Sequence, residues 1–135
     1  MKALCRCGSG EIDEKCCFPF HQGALPKTAL ELMRSRYTAY AMGNADYILK
    51  TTHKDNRESH KSAKLQMQQI LSFCQNTEFN GLKILEVREG DLSSTVTFHV
   101  ILSQNNHDAS FTEKSFFEKV NGAWFYLKGE VTADP

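Results

Sequence analysis

Four of the five cysteines in this chain stand between positions 5 and 17. They run Cys5-Arg6-Cys7-Gly8-Ser9-Gly10, then Glu11 to Lys15, then Cys16-Cys17, so that two close pairs are joined by a short loop. Soft thiolates in tetrahedral fours select zinc, and a closed set of four leaves no open coordination position, which makes the expected zinc structural rather than catalytic. The alternative, free or oxidised thiols, fits poorly. Neighbouring cysteines such as Cys16 and Cys17 make bad disulfide geometry, and one distant Cys74 does not build a disulfide framework.

The residues around the thiols suit a metal. The chain must turn sharply after Cys7, and Gly8 and Gly10 supply positive φ at no steric cost while bringing backbone N–H groups toward sulfur. Four thiolates on a divalent ion leave a net charge of about minus two, and Arg6 and Lys15 sit where they offset part of it. The segment's few large apolar residues (Leu4, Ile12, Phe18 and Phe20) cannot fold it by burial, so the metal must contribute on the order of 10 kcal/mol, and without it the segment should be disordered. Phe18 and Phe20 beside Arg6 and Lys15 also form a candidate docking surface for a protein or ribonucleoprotein partner; the alternative is that the two rings pack the knuckle onto the rest of the chain. His21 is either a substitute ligand for Cys17 or a solvent-facing histidine after the turn.

The pattern Cys5-x-Cys7-Gly8-Ser9-Gly10-x5-Cys16-Cys17 resembles the SEC-C zinc-binding motif, a module found at the C-terminal end of the SecA translocase ATPase and in many other bacterial proteins. Together with Phe18-Pro19-Phe20-His21-Gln22-Gly23, with Leu32-Met33-Arg34-Ser35-Arg36-Tyr37-Thr38-Ala39-Tyr40 and with Tyr47-Ile48-Leu49-x-Thr51-Thr52-His53, the whole chain is similar to the YchJ family of uncharacterised bacterial proteins. The resemblance implies an SEC-C knuckle over residues 1–25, and over 26–135 a nuclear transport factor 2-like α+β domain, in which a bent antiparallel sheet wraps helices into a cone. It implies no established activity. The chain departs from the family at Thr52-His53-Lys54, where Trp-His-Pro is common, and it carries no second SEC-C motif.

The remaining sequence is consistent with one ordinary globular core. Basic and acidic residues balance at 16 each, so no global field holds nucleic acid or an anionic membrane. The N-terminal residues lack the apolar run of a signal peptide, and the longest apolar stretch, Val96 to Leu102, has the length of a strand; a cytoplasmic protein without membrane attachment is expected. Thr28-Ala29-Leu30-Glu31 is a capping box that starts a helix ending near Gly43, with Leu30, Met33, Tyr37, Tyr40 and Ala41 on its apolar stripe and Arg34 and Arg36 at its edges. A short helix capped by Asn44 or Asp46 follows through Tyr47, Ile48 and Leu49. A third, Ser62 to Gln75, puts Met67, Ile70, Leu71 and Cys74 on one face, which makes Cys74 a core thiol rather than a nucleophile.

Beyond Phe79 the period becomes two. Leu82 and Ile84 begin a strand, Glu89-Gly90-Asp91 turns it, and Val96, Phe98, Val100 and Leu102 alternate inward, with His99 facing the other way. After the polar turn from Gln104 to Asp108, the Asn121-Gly122 hairpin sets Val120 against Ala123. That register puts Lys119, Phe117 and Ser115 opposite Trp124, Tyr126 and Lys128 on one face, and Glu118 and Phe116 opposite Phe125 and Leu127 on the other. Both faces carry large aromatics. One should cover the helices, and the other should close over a cavity or meet a second subunit, a homodimer through the sheet. The end of the chain, Ala133-Asp134-Pro135, should fray.

Two functions follow. The knuckle is a docking module, or the cone holds a small molecule or an active site, lined by some of Arg36, Tyr37, Tyr40, His53, His99, Trp124 and Tyr126. No carboxylate–histidine pair in the sequence singles out a general base, so whether the protein is an enzyme is left open.

Overall fold

A computed structural model describes residues 3–132. A 3-10 turn at Asp13–Lys15 and a single helical turn α1 (Phe18–His21) complete the N-terminal knuckle, and α2 (Ala29–Met42), α3 (Ala45–Lys50) and α4 (Ala63–Gln75) follow. The strands are β1 (Glu78–Arg88), β2 (Ser93–Gln104), β3 (His107–Asp108), β4 (Phe111–Val120) and β5 (Ala123–Thr132). The tail expected to fray after Thr132 lies outside the described residues.

Helix ends are set by local chemistry. Thr28 Oγ1 accepts from the Glu31 backbone N–H at 3.1 Å, while the Glu31 carboxylate reaches back to the Lys27 N–H at 2.7 Å. Satisfying free N–H groups in both directions starts α2, and Gly43 at φ +75° stops it, because only glycine enters that conformation without a Cβ penalty. Asn44 caps α3 and Ser62 caps α4 in the same way.

All strand pairs are antiparallel, in the order β1-β2-β4-β5, with β3 on β2. Strand β3 adds a fifth strand to the four expected. Within the Gln104–Asp108 segment, Asn105 and Asn106 take φ of 51° and 64°, folding the chain back as a tight hairpin turn. The Asn121-Gly122 turn sets the expected register as far as Phe117 opposite Tyr126, and there the two patterns part. A bulge at Leu127 puts Phe116 against Lys128 and Ser115 against Gly129, one residue later than a regular ladder would. Two further irregularities bend β1, between Phe79 and Gly81 and between Ile84 and Glu86.

The bent sheet wraps α2. Its inward residues Val96, Phe98, Val100 and Leu102 are all buried, as the alternation predicts. Helix α2 is covered nearly all round rather than on one stripe: Ala29, Leu32, Ser35, Thr38 and Ala39 are buried as well as Met33, Arg36 and Tyr37. The reason is that two bodies enclose it, the sheet on one side and the knuckle on the other, and Cys5, Cys7 and Cys17 belong to the same core cluster as Leu32 and Trp124. Helix α4 corrects an expectation. None of its residues is fully buried, and Cys74 is a half-buried thiol at the edge of the core, because α4 packs on α2 and α3 as a cover and only Ile70 and Phe73 press against the core cluster.

Candidate metal centre and cavity

In the knuckle a bridge between Leu4 and Ile12 brings the two cysteine pairs together, and Gly8 (φ +79°) and Gly10 (φ +91°) make the turn between them. The sulfurs of Cys5, Cys7, Cys16 and Cys17 all lie within 4.8 Å of one another. A tetrahedron with metal–sulfur bonds of about 2.3 Å has edges of about 3.8 Å. The Cys7–Cys16 and Cys16–Cys17 separations of 3.5 and 3.9 Å match it, so the four cysteines can hold a metal ion.

Crowding four thiols changes their acidity. The hydrogen bond from Cys17 draws Cys7 down to about 4, while burial first of all pushes Cys16 up to about 11. Cys17 is raised as well, chiefly by its bond to Cys7. The cluster thus favours one thiolate sharing the protons of its neighbours, and a metal ion held there would take over the role of those protons.

The charge that faces the sulfurs comes from α2. Arg34 Nη1 donates to the Cys7 carbonyl at 2.8 Å and lies 3.9 Å from Cys7 Sγ, and the Thr38 hydroxyl donates to Cys17 Sγ at 3.3 Å. Arg6 instead reaches the Ala41 carbonyl at 3.4 Å, and Lys15 is exposed at the end of the 3-10 turn. His21 does not join the ligands. Its Nε2 is 2.9 Å from the Ser35 carbonyl and its ring rests 4.6 Å from that of Tyr47, so it fastens α1 to α2. Phe20 packs against the core, while Phe18 is 44 % exposed.

A cavity of about 170 Å³ occupies the cone between α2, α4 and the sheet. Its apolar wall includes Phe73, Phe79, Phe98, Val100, Leu102 and Phe111. Arg36, Tyr40, Phe73, Glu113 and Tyr126 line both this cavity and a wider outer groove, which places a polar cluster where the two meet. Arg36 is 7 % exposed, and no carboxylate among the described residues pairs with it. Its Nη1 donates to the Ile48 carbonyl and to the hydroxyls of Thr51 and Thr52, and its guanidinium lies 4.6 Å from the Tyr126 ring centroid. Glu113 Oε2 accepts from Ser115 at 2.5 Å and from the Tyr126 hydroxyl at 3.2 Å. Burial foremost, then the Glu113 charge, pushes the Tyr126 phenol well above its ordinary value, and burial also raises Tyr40.

Of the residues expected at a pocket, Arg36, Tyr37, Tyr40 and Tyr126 line this cavity, and three do not. His53 is buried beside β5, where its backbone N–H donates to the Tyr126 carbonyl; its Nδ1 accepts from the Asp55 N–H and its Nε2 therefore donates to Glu118 at 3.0 Å. His99 faces outward and bonds Thr112, and the Trp124 indole is buried against the Lys27 carbonyl. Glu113 and Ser115 were missed, although β4 alternates them inward with Phe117; a carboxylate on the inward parity of a core strand was the signal. Gly129 was missed too. A Cβ there would run into the Glu113 carboxylate and the Tyr126 hydroxyl, so the glycine makes room for the cluster.

Residues 28–129 match the family model described as the middle NTF2-like domain of YchJ. Among curated relatives, a UPF0225 protein of Streptomyces coelicolor is 38 % identical over 93 % of this chain and 94 % of its own. One from Actinobacillus succinogenes is 34 % identical over 97 % of this chain and 84 % of its own. The solution structure of an SEC-C motif containing protein from Rhodopseudomonas palustris superposes with a TM-score of 0.84 at 30 % identity, covering 98 % of this chain and 99 % of that one. A sec-c motif containing protein from Psychrobacter arcticus, at 21 % identity and a TM-score of 0.77, shares the fold over all of this chain and 85 % of its own. With the cysteine knuckle seated on a helix that a bent sheet encloses, the chain belongs to the YchJ-like UPF0225 family, which joins an SEC-C motif to an NTF2-like domain.

Proposed function

We propose that this is a small-molecule-binding protein whose cone holds the ligand and whose four cysteines carry a structural zinc ion. The observation that carries the ligand reading is the polar cluster at the cavity. A buried arginine without a carboxylate partner and a carboxylate that the chain satisfies on one oxygen line the same small space, and buried charges left unpaired by the protein mark ligand sites more often than inert cores. The thiolate set favours zinc over harder divalent ions, and the way Arg34 and Thr38 reach the cysteines from α2 supports a metal that fastens the knuckle to the domain. In a reducing cytoplasm those thiols would remain available for it.

Ligand binding is tested by adding a library of small ring compounds to the 15N-labelled protein. Shifts should gather at Tyr40, Phe73, Phe98 and Glu113, and should vanish when Val100→Phe fills the cavity. Compounds that move no resonance there would remove the support for this function. Metal content after expression with zinc supplied should approach about one equivalent per chain.

A second reading, docking of a protein or ribonucleoprotein partner through the knuckle, draws on the exposure of Phe18, Arg6 and Lys15. Loss of a captured partner on Phe18→Ala with the melting temperature unchanged would favour it.

A further inference from the structure

Building on the ligand-binding cone, we infer that the ligand is a neutral, single-ring aromatic compound whose hydroxyl group donates to Glu113. Size sets the first limit. A cavity of about 150 Å³ lined by aliphatic and aromatic side chains takes up benzene, and the present cavity is about 170 Å³ with five phenylalanines on its wall. A single ring with a small substituent fits that space.

Charge sets the second limit. Arg36 and Glu113 line the same wall, so a cationic ligand meets the guanidinium and an anionic one meets the carboxylate. Either would also leave its own hydration behind in an aromatic cavity, and a neutral ligand avoids both penalties.

Hydrogen bonding then orients the ring. Ser115 and Tyr126 both donate to Glu113 Oε2, and among the described residues nothing donates to Oε1. Among the described residues no fully buried side-chain oxygen lacks a partner, so Oε1 is accessible, and Glu113 lines both the cavity and the outer groove. A ligand donor there would take the place of water. Arg36 spends its Nη1 donors on Ile48, Thr51 and Thr52, and Glu113 Oε1 is the acceptor that the cluster offers a ligand. A phenolic or benzylic O–H at the mouth, with its ring among Phe73, Phe79 and Phe98, satisfies that acceptor and buries the rest. The surrounding backbone is arranged for this carboxylate. The bulge at Leu127 sets Gly129 beside Glu113, where any other residue would displace it.

The test uses the intact metal-loaded chain, titrated by 15N NMR with phenol, toluene, benzoate and benzylamine. Phenol should bind at least roughly tenfold more tightly than toluene, as expected for a hydrogen bond to a charged acceptor. Benzoate and benzylamine should be weaker than phenol. In Glu113→Gln, phenol should fall to the level of toluene, with toluene unchanged as the control that the cavity is intact. If phenol binds no better than toluene, if either ion binds best, or if Glu113→Gln lowers phenol and toluene alike, the hydroxyl assignment is overturned while the cone remains a binding site. If no ring compound shifts the cavity resonances at all, the binding function falls with it.

Discussion

Gly129→Ala separates what β-strand propensity says from what this structure says, because the two differ in sign. Gly129 is exposed and lies in β5 with an ordinary strand conformation. Glycine inside a strand or helix is normally worse than alanine by about 0.5–1 kcal/mol, through the entropy of the unfolded chain, so alanine should stabilise the protein. Here the new Cβ would collide with the Glu113 carboxylate and the Tyr126 hydroxyl. The Glu113 side chain is flexible and can swing away, but it then gives up its bonds from Ser115 and Tyr126. Hydrogen bonds to a charged group contribute about 1.5–3 kcal/mol each. Water recovers part of two such bonds, and after the entropic gain the net loss should be about 1–3 kcal/mol. For a domain of this size that lowers the melting temperature by several degrees, readable by calorimetry or circular dichroism. In a Tyr126→Phe background, where one clash and one bond are already gone, the cost should shrink. A variant as stable as the parent, or more so, would refute the steric account of Gly129 and with it the claim that the bulge is shaped around Glu113.

Chelating the metal should lower the melting temperature of the whole chain in a single transition, since Cys5, Cys7 and Cys17 are in the main core cluster; a separate early transition confined to the knuckle would contradict this. Arg34→Gln should weaken metal retention by about 10–100-fold in competition with a chromophoric chelator, the usual effect of removing a partner of the ligands, whereas Arg6→Gln should change it little. All four tyrosines, Tyr37, Tyr40, Tyr47 and Tyr126, are held above the ordinary value of 10.0, foremost by burial. Raised phenols favour the folded state in full below pH 10 and withdraw that support above it, so phenolate absorbance should lag behind that of free tyrosine and then rise together with unfolding. His99→Ala should leave ring-compound binding unchanged, because that side chain faces away from the cavity.

Elements whose cause is local were legible in the sequence. The thiol spacing, the Thr28 and Glu31 box and the Asn121-Gly122 turn each act within a few residues, and none of them needs a tertiary contact to be read. The misplaced features depend on distant partners. Helix α2 looked amphipathic because its knuckle side carries Ser35, Thr38 and Ala39, small residues whose burial follows only from the close approach of the cysteines. Arg34 was set at the edge of a stripe, and Arg6 and Lys15 were given its place near the sulfurs, since nearness in sequence favoured them over a residue some 27 positions away. His53 and His99 attracted notice as titratable groups. The cavity drew instead on Glu113, whose inward direction follows from the parity of β4 and whose place beside Tyr126 depends on a bulge with no clear sequence marker. Cys74 read as core because its helical spacing was right, but periodicity shows which face turns inward and not how far a covering helix is buried.

Helix α2 has two working sides. Arg34 and Thr38 meet the knuckle; Arg36 and Tyr40, displaced by two positions and so by about 200° around the axis, line the cone. One rigid rod therefore forms a wall of both sites. If a metal in the knuckle also fixes where α2 sits, the two occupancies are linked: a ligand that needs α2 in that position would tighten metal retention by the same factor by which the metal tightens the ligand. Loss of the metal would then weaken a ligand in the cone without any change in the cone's own residues.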